Sequence, residues 1–126
     1  MVKNNTFRNI FKTRGFMNSL NLAVKGIIYL FLYHRNMRLI FISGVLVFLS
    51  GIYLKLKGIE LVAVCITITL VFMAEIFNTA IELMMDALSQ EYQVKIKLIK
   101  DIAAGVVLLA CLNALGVGYV LLLKKI

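Results

Sequence analysis

Residues 102–123, IAAGVVLLACLNALGVGYVLLL, hold no charged side chain. Few environments accept such a run. In water its backbone and side chains would need a larger core than a short chain can supply. In a bilayer about 20 apolar residues cross the hydrocarbon as a helix, because every backbone N–H and C=O must then pair within the segment. Two further uncharged runs precede it, 39–54 (LIFISGVLVFLSGIYL) and 61–74 (LVAVCITITLVFMA). The first reaches spanning length if Arg38 and Lys55 extend toward the head groups. Hydrophobic residues make up 62% of the 126, against roughly 45–50% apolar residues in soluble domains. The chain contains no proline, so none interrupts a helix. These features predict one all-α integral-membrane domain over residues 1–126. Its spans fall at about 37–56, 59–86 and 98–123.

The N-terminal segment differs. Residues 3–25 set Phe7, Ile10, Phe11, Phe16, Leu20 and Leu22 among Lys3, Arg8, Lys12, Arg14 and Lys25. Several of the apolar residues recur at helical spacing, the pattern of an amphipathic helix lying on a membrane surface, here expected over about 4–25. Residues 26–33 (GIIYLFLY) are apolar but too short to span. The pattern predicts no cleavable signal peptide, since the first 20 or so residues are polar and basic.

Net charge is +8, from 14 basic and 6 acidic residues. In so apolar a chain this excess suits an anionic membrane surface, not nucleic acid. Three spans place the N-terminus and the 87–100 connection on one side, with Lys3, Arg8, Lys12, Arg14, Lys25, Arg35, Arg38, Lys95, Lys97 and Lys100. Lys55, Lys57, Lys124 and Lys125 fall on the other. The richer side is expected to be cytoplasmic. Cys65 and Cys111 lie inside apolar runs with no CxxC spacing and read as inert thiols.

The chemistry gathers in AEIFNTAIELMMD, residues 74–86. With Glu75 at zero and about 100° per residue, Asn78 falls near 300°, Glu82 near 340° and Asp86 near 20°. All four share one face over about 16 Å of axis, with Thr79 at its border. Ionisable groups at membrane depth are costly and normally face a protein interior or a wet cavity. Two plainer alternatives are a span that ends near Ala74, leaving a solvated helix, and a stripe that only holds helices together. The apolar residues Ile76, Phe77, Ile81, Leu83, Met84 and Met85 weigh against the first. Carboxylates two turns apart can divide labour, one binding a divalent cation and the other accepting a proton. Lys100 and Asp101 open the third span from the same side, where an ammonium can hold phosphate. There is no GxxxxGK followed by Ser or Thr, so no P-loop, and no HExxH or Cys/His zinc pattern. His34 is the only histidine, which leaves few partners for a nucleophilic triad.

The segment EIFNTAIELMMD (75–86), then Glu91-Tyr92 and KDIAAGVVLL (100–109), closely resembles the prokaryotic integral-membrane diacylglycerol kinase family, which includes the undecaprenol kinases of Gram-positive bacteria. Upstream, AVKGI (23–27) and RNMR (35–38) resemble further pieces of the family pattern, so the likeness covers nearly the whole chain. The resemblance implies a homotrimer of three-span protomers in the bacterial inner membrane, each with a surface helix and a cytoplasmic N-terminus. It implies transfer of the ATP γ-phosphate to a membrane-lipid hydroxyl with Mg²⁺ or another divalent cation. By position, Glu75 is the implied general base, with Asn78 positioning the centre. Glu82 is an implied metal ligand, and Glu91, Tyr92, Lys100 and Asp101 are implied nucleotide contacts. Family members carry a metal-ligating Glu where this chain has His34. That imidazole is a substitute ligand, a shifted metal preference, a mark of altered chemistry, or a head-group-facing residue with no ligand role. Gln93 stands where some relatives carry His. RNMR (35–38) and DIAAG (101–105) look more like the undecaprenol branch than the Gram-negative diacylglycerol kinases. Readings of another kind are a diverged lipid-phosphate or nucleotide phosphatase, motivated by His34, and a non-catalytic membrane oligomer with the acids lining a polar core.

Overall fold

The computed structural model describes residues 15–88 and 93–126. Every regular element among them is helical: α1 (Phe16–Tyr33), α2 (Arg35–Tyr53), α3 (Ile59–Leu88), α4 (Val94–Leu121) and a 3-10 turn, Leu123–Lys125. Among these residues, those up to Arg35 form one compact unit and those from Asn36 onward a second.

In the first unit, α1 starts on the extended Gly15, whose carbonyl accepts N–H bonds from Asn18 and Ser19. It ends where His34 turns extended and donates its N–H to the Leu30 carbonyl. The Tyr29 and Tyr33 rings, one helical turn apart, lie 4.8 Å between centroids, and His34 meets Tyr29 edge-on at 6.0 Å. Residues 26–33, too short to span alone, are therefore the second half of an 18-residue helix. Gly26 sits mid-helix at a cost of only about 1 kcal/mol relative to Ala, and no proline stops propagation. Four described helices, not three, are long and apolar enough to cross a membrane by length and composition, α1 being the least apolar. The expected surface segment over residues 4–14 lies outside the described residues.

In the second unit, α2 approaches α3 locally, around Gly44. A Cβ added at Gly44 would sit 3.0 Å from Ile68 Cγ2, and the Phe41 and Phe72 rings approach to 5.9 Å. Hydroxyls along both helices are satisfied internally: Ser43, Ser50, Thr67 and Thr69 each donate to the carbonyl four residues back, at 2.8 Å. That pairing lets polar residues sit in an apolar setting without an orphan donor.

α2 ends in a reversal. Lys55 donates to the Ile52 carbonyl and Leu56 to that of Gly51, with Lys55 in the left-handed region at φ 62°. Leu56 is buried, and its Cδ1 lies 3.2 Å from where a Cβ on Gly51 would be. Gly58, also left-handed at φ 61°, then leads into α3.

α3 and α4 make the most extensive helix pairing. Asp86 pairs with Lys100 at 2.7 Å beside the connection, and Glu60 pairs with Lys125 at 3.0 Å at the opposite end. Those two pairs fix an antiparallel hairpin held at both ends.

Candidate functional site on the polar face of α3

The buried residues of α3 are Val64, Thr67, Ala74, Glu75, Thr79 and Met85. At about 100° per residue they all fall within an arc of roughly 140°. The acidic stripe lies on that same arc. The carboxylates thus continue the packed face of the helix, and they do so with a gradient of exposure. Glu75 is buried at 7% relative exposure and Thr79 at 3%. Asn78 is half-buried, and Glu82 and Asp86 are exposed. The face is closed at Glu75 and opens toward the α3–α4 connection.

Asn78 links the two zones. Its Nδ2 donates to Glu82 Oε1 at 3.4 Å, a long bond between side chains one turn apart. Its Oδ1 is buried and finds no partner among the described residues. A buried acceptor left unpaired costs about 1–3 kcal/mol, so a donor or a cation that reaches Asn78 Oδ1 gains by pairing with it.

The described residues contain no cluster of three or more His, Cys, Asp or Glu side chains poised for a metal ion. The donor set at Asn78 and Glu82 is smaller and all-oxygen. That suits a hard cation of the Mg²⁺ type, which binds through one or two carboxylates, keeps several waters and shares its sphere with substrate phosphates. The residues therefore fit a divalent cation delivered with a phosphate ligand better than a closed protein cage.

Two lysines stand where the face opens. Lys100 reaches across the hairpin to Asp86, and Lys97 pairs within α4 to Asp101 at 2.7 Å. Exposed pairs of this kind are worth about 0–1 kcal/mol, so an incoming polyanion can compete for either ammonium. Of the residues singled out from sequence, Glu75, Asn78 and Glu82 share one face, and Lys100 joins its open end through Asp86. Asp101 points its carboxylate at Lys97. Glu91 and Tyr92 lie outside the described residues, and His34 belongs to the first unit. Sequence reasoning gave Asp86 no partner and overlooked Lys97. The i,i+4 spacing of Lys97 and Asp101 was a signal for the second pair. The first pair has no local signal, because it forms only once the hairpin closes.

Apolar helices of spanning length, one of them with a polar face sunk into its packed side, define a multi-pass membrane protein with a candidate site on α3. Residues 21–122 match the family described as prokaryotic diacylglycerol kinase. A diacylglycerol kinase from Synechocystis sp. is 39% identical over 109 residues, which are 86% of this chain and 62% of the relative. The chain thus spans less than two thirds of that relative's length. It belongs to the prokaryotic diacylglycerol kinase family.

Proposed function

We propose that this protein is an ATP-dependent lipid kinase that moves the γ-phosphate of ATP onto the hydroxyl of a membrane lipid. The observation that carries the proposal is the exposure gradient on α3. A carboxylate at apolar depth, Glu75, continues into an open oxygen-rich end at Asn78 and Glu82. One reactant of such an enzyme lives in the bilayer and the other in water, and the stripe reaches from one zone to the other.

In this reading Glu75 takes the proton from the lipid hydroxyl. The alkoxide oxygen bonds to the γ-phosphorus, the bond from that phosphorus to the β,γ-bridging oxygen breaks, and ADP leaves with the electron pair. Asn78 and Glu82 would hold a divalent cation, with Mg²⁺ the expected ion, which would offset charge on the ATP phosphates. Lys100 exchanges Asp86 for phosphate oxygens, and Asp101, Glu91 and Tyr92 complete the nucleotide contacts. On the family resemblance, His34 is proposed as a further metal ligand. Phosphoryl transfer asks for positioning and electrostatics more than covalent chemistry, which agrees with so small a set of groups.

The wider proposal is a homotrimer in the bacterial inner membrane with a cytoplasmic N-terminus, an amphipathic surface segment before three spans, and undecaprenol favoured over diacylglycerol as substrate. The family resemblance supports the assembly, and the distribution of lysines and arginines supports the orientation.

The test is transfer of labelled phosphate from Mg-ATP to undecaprenol and to diacylglycerol, side by side in one detergent, with Glu75→Gln as control. Label on lipid that is lost in the control is the expected result, and the better-labelled lipid identifies the substrate. A Glu75→Gln variant that retains substantial transfer removes Glu75 from the role of base. No label on either lipid from folded wild-type protein overturns the kinase.

A further inference from the structure

At the opposite end of the second unit lies a cavity of about 530 Å³ between α2, α3 and α4. Its size falls within the roughly 300–1,000 Å³ typical of small-ligand clefts. Its walls are almost wholly apolar, with Val47, Val64, Val71 and Leu115 among them. Of the hydroxyl-bearing residues that line it, Ser43, Ser50 and Thr67 already donate to carbonyls of their own helices, and Tyr119 is largely exposed. The walls therefore offer an occupant mainly hydrocarbon contact.

The cavity runs out to Leu54, Leu122 and Ile126. These residues adjoin the two segments that carry Lys55 and Lys57 on one side and Lys124 and Lys125 on the other. The Lys125–Glu60 pair shows that both segments meet at the start of α3. Lys55, Lys57 and Lys124 have no acidic partner among the described residues. Glu60 is the sole acidic residue in these two segments and the first turn of α3, and its charge is already taken by Lys125. An uncompensated basic rim therefore stands at the mouth of a hydrocarbon-lined space.

From Glu60 to Asp86, α3 rises about 39 Å at about 1.5 Å per residue. The hydrocarbon core is about 30 Å thick, so this mouth and the acidic stripe belong to opposite leaflets. We propose that the cavity and its lysine rim bind an anionic phospholipid of the leaflet opposite the acidic stripe, with one acyl chain in the cavity and the phosphate among Lys55, Lys57 and Lys124. The site is separate from the kinase reading and stands without it. Lysines that flank a span serve commonly as plain interface anchors. The cavity that continues inward from them, with almost wholly apolar walls, is what separates a binding site from such anchoring.

The full chain is placed in phosphatidylcholine nanodiscs with a trace of phosphatidylglycerol that carries a diazirine near the end of one acyl chain. Parallel discs carry phosphatidylcholine with the same diazirine chain. After photolysis, labelled peptides are mapped. Residues 64–71 and 114–123 are expected to take up the phosphatidylglycerol label about tenfold more than the phosphatidylcholine label, a modest value for three lysines at an anionic head group. The triple variant Lys55→Gln, Lys57→Gln, Lys124→Gln changes only exposed side chains. It is expected to bring the two lipids level while leaving the thermal midpoint in place. Ala114→Phe, which fills the cavity from α4, is expected to remove label from 114–123 with the lysines intact. Equal labelling of the two lipids by wild type overturns the proposal. So does a preference that survives the triple variant, or label on 114–123 that survives Ala114→Phe. Crosslinking of 114–123 to a second copy of the chain in place of lipid also overturns it, since that makes the cavity an interface between copies.

Discussion

Gly44 offers a test of how α2 seats on α3. A Cβ there would stand 3.0 Å from Ile68 Cγ2 and 3.5 Å from Phe72 Cε2. Carbon atoms rest at about 3.5–4.0 Å, so the second contact is ordinary and the first is short by about 0.5 Å or more. Ile68 cannot relieve it easily, because a β-branched side chain in a helix holds one χ1 rotamer. Over-packing of this kind costs about 1–3 kcal/mol. Against it stands the helix-propensity gain of Ala over Gly, about 1 kcal/mol. Gly44→Ala is therefore expected to destabilise by about 1 kcal/mol net. At Gly116, where nothing lies within 4 Å, the same change has only the propensity term and is expected to stabilise by up to about 1 kcal/mol. The assay is reversible unfolding in mixed micelles, run as a double-mutant cycle with Ile68→Ala. That second change deletes the offending methyl, so in its background Gly44→Ala turns stabilising, with a coupling of about 2 kcal/mol. If Gly44→Ala behaves like Gly116→Ala in the wild-type background, or is unchanged by Ile68→Ala, the close seating of α2 on α3 is wrong.

Lys55 occupies a left-handed position with an L side chain, which costs roughly 1–2 kcal/mol. Lys55→Gly is expected to raise unfolding stability by about 1 kcal/mol in the same micelle assay, whereas Lys55→Val is expected to lower it. Asn78→Leu removes the buried acceptor that lacks a partner. It is expected to leave ligand-free stability unchanged or higher, while the rise in thermal midpoint on adding Mg-ATP is lost. For a ligand at 100 times its Kd that rise corresponds to about 2.7 kcal/mol, and Glu82→Gln is expected to lose it too. Lys100→Met and Asp86→Asn break the same exposed pair, so each should cost less than about 1 kcal/mol of stability. Steady-state kinetics should separate them: Lys100→Met raises KM for Mg-ATP at least tenfold, and Asp86→Asn changes it much less.

Much of this architecture is legible in the chain because a bilayer leaves few options. Long uncharged runs must become helices, and α2, α3 and α4 lie on those runs. The azimuth of the acidic stripe is equally legible, since helical phase needs only residue numbers. Its exposure gradient is not. Glu75 and Glu82 lie within about 20° of one another on the helix, yet one is buried and the other exposed. Only the neighbouring structure distinguishes them. The break expected between Lys25 and Gly26 does not occur, because one lysine and one glycine weaken a helix without ending it. The reversal between spans ending near 56 and starting near 59 is legible too, but not that Lys55, with an L side chain, takes a left-handed position in it.

The two interhelical ion pairs bear on the depth of Glu75 more than on stability. Asp86–Lys100 and Glu60–Lys125 sit at opposite ends of one antiparallel hairpin, and each alone is worth about 0–1 kcal/mol. A slip of α3 past α4 by one turn moves every residue by about 5.4 Å. That is too far for either pair to survive, and both would be lost together. The charged ends thus mark one register of the hairpin. In the kinase reading that register matters chemically, because a reacting carboxylate must lie within about 3 Å of its proton. A hairpin free to slip by a turn would carry Glu75 out of reach of the lipid hydroxyl while leaving the fold otherwise intact.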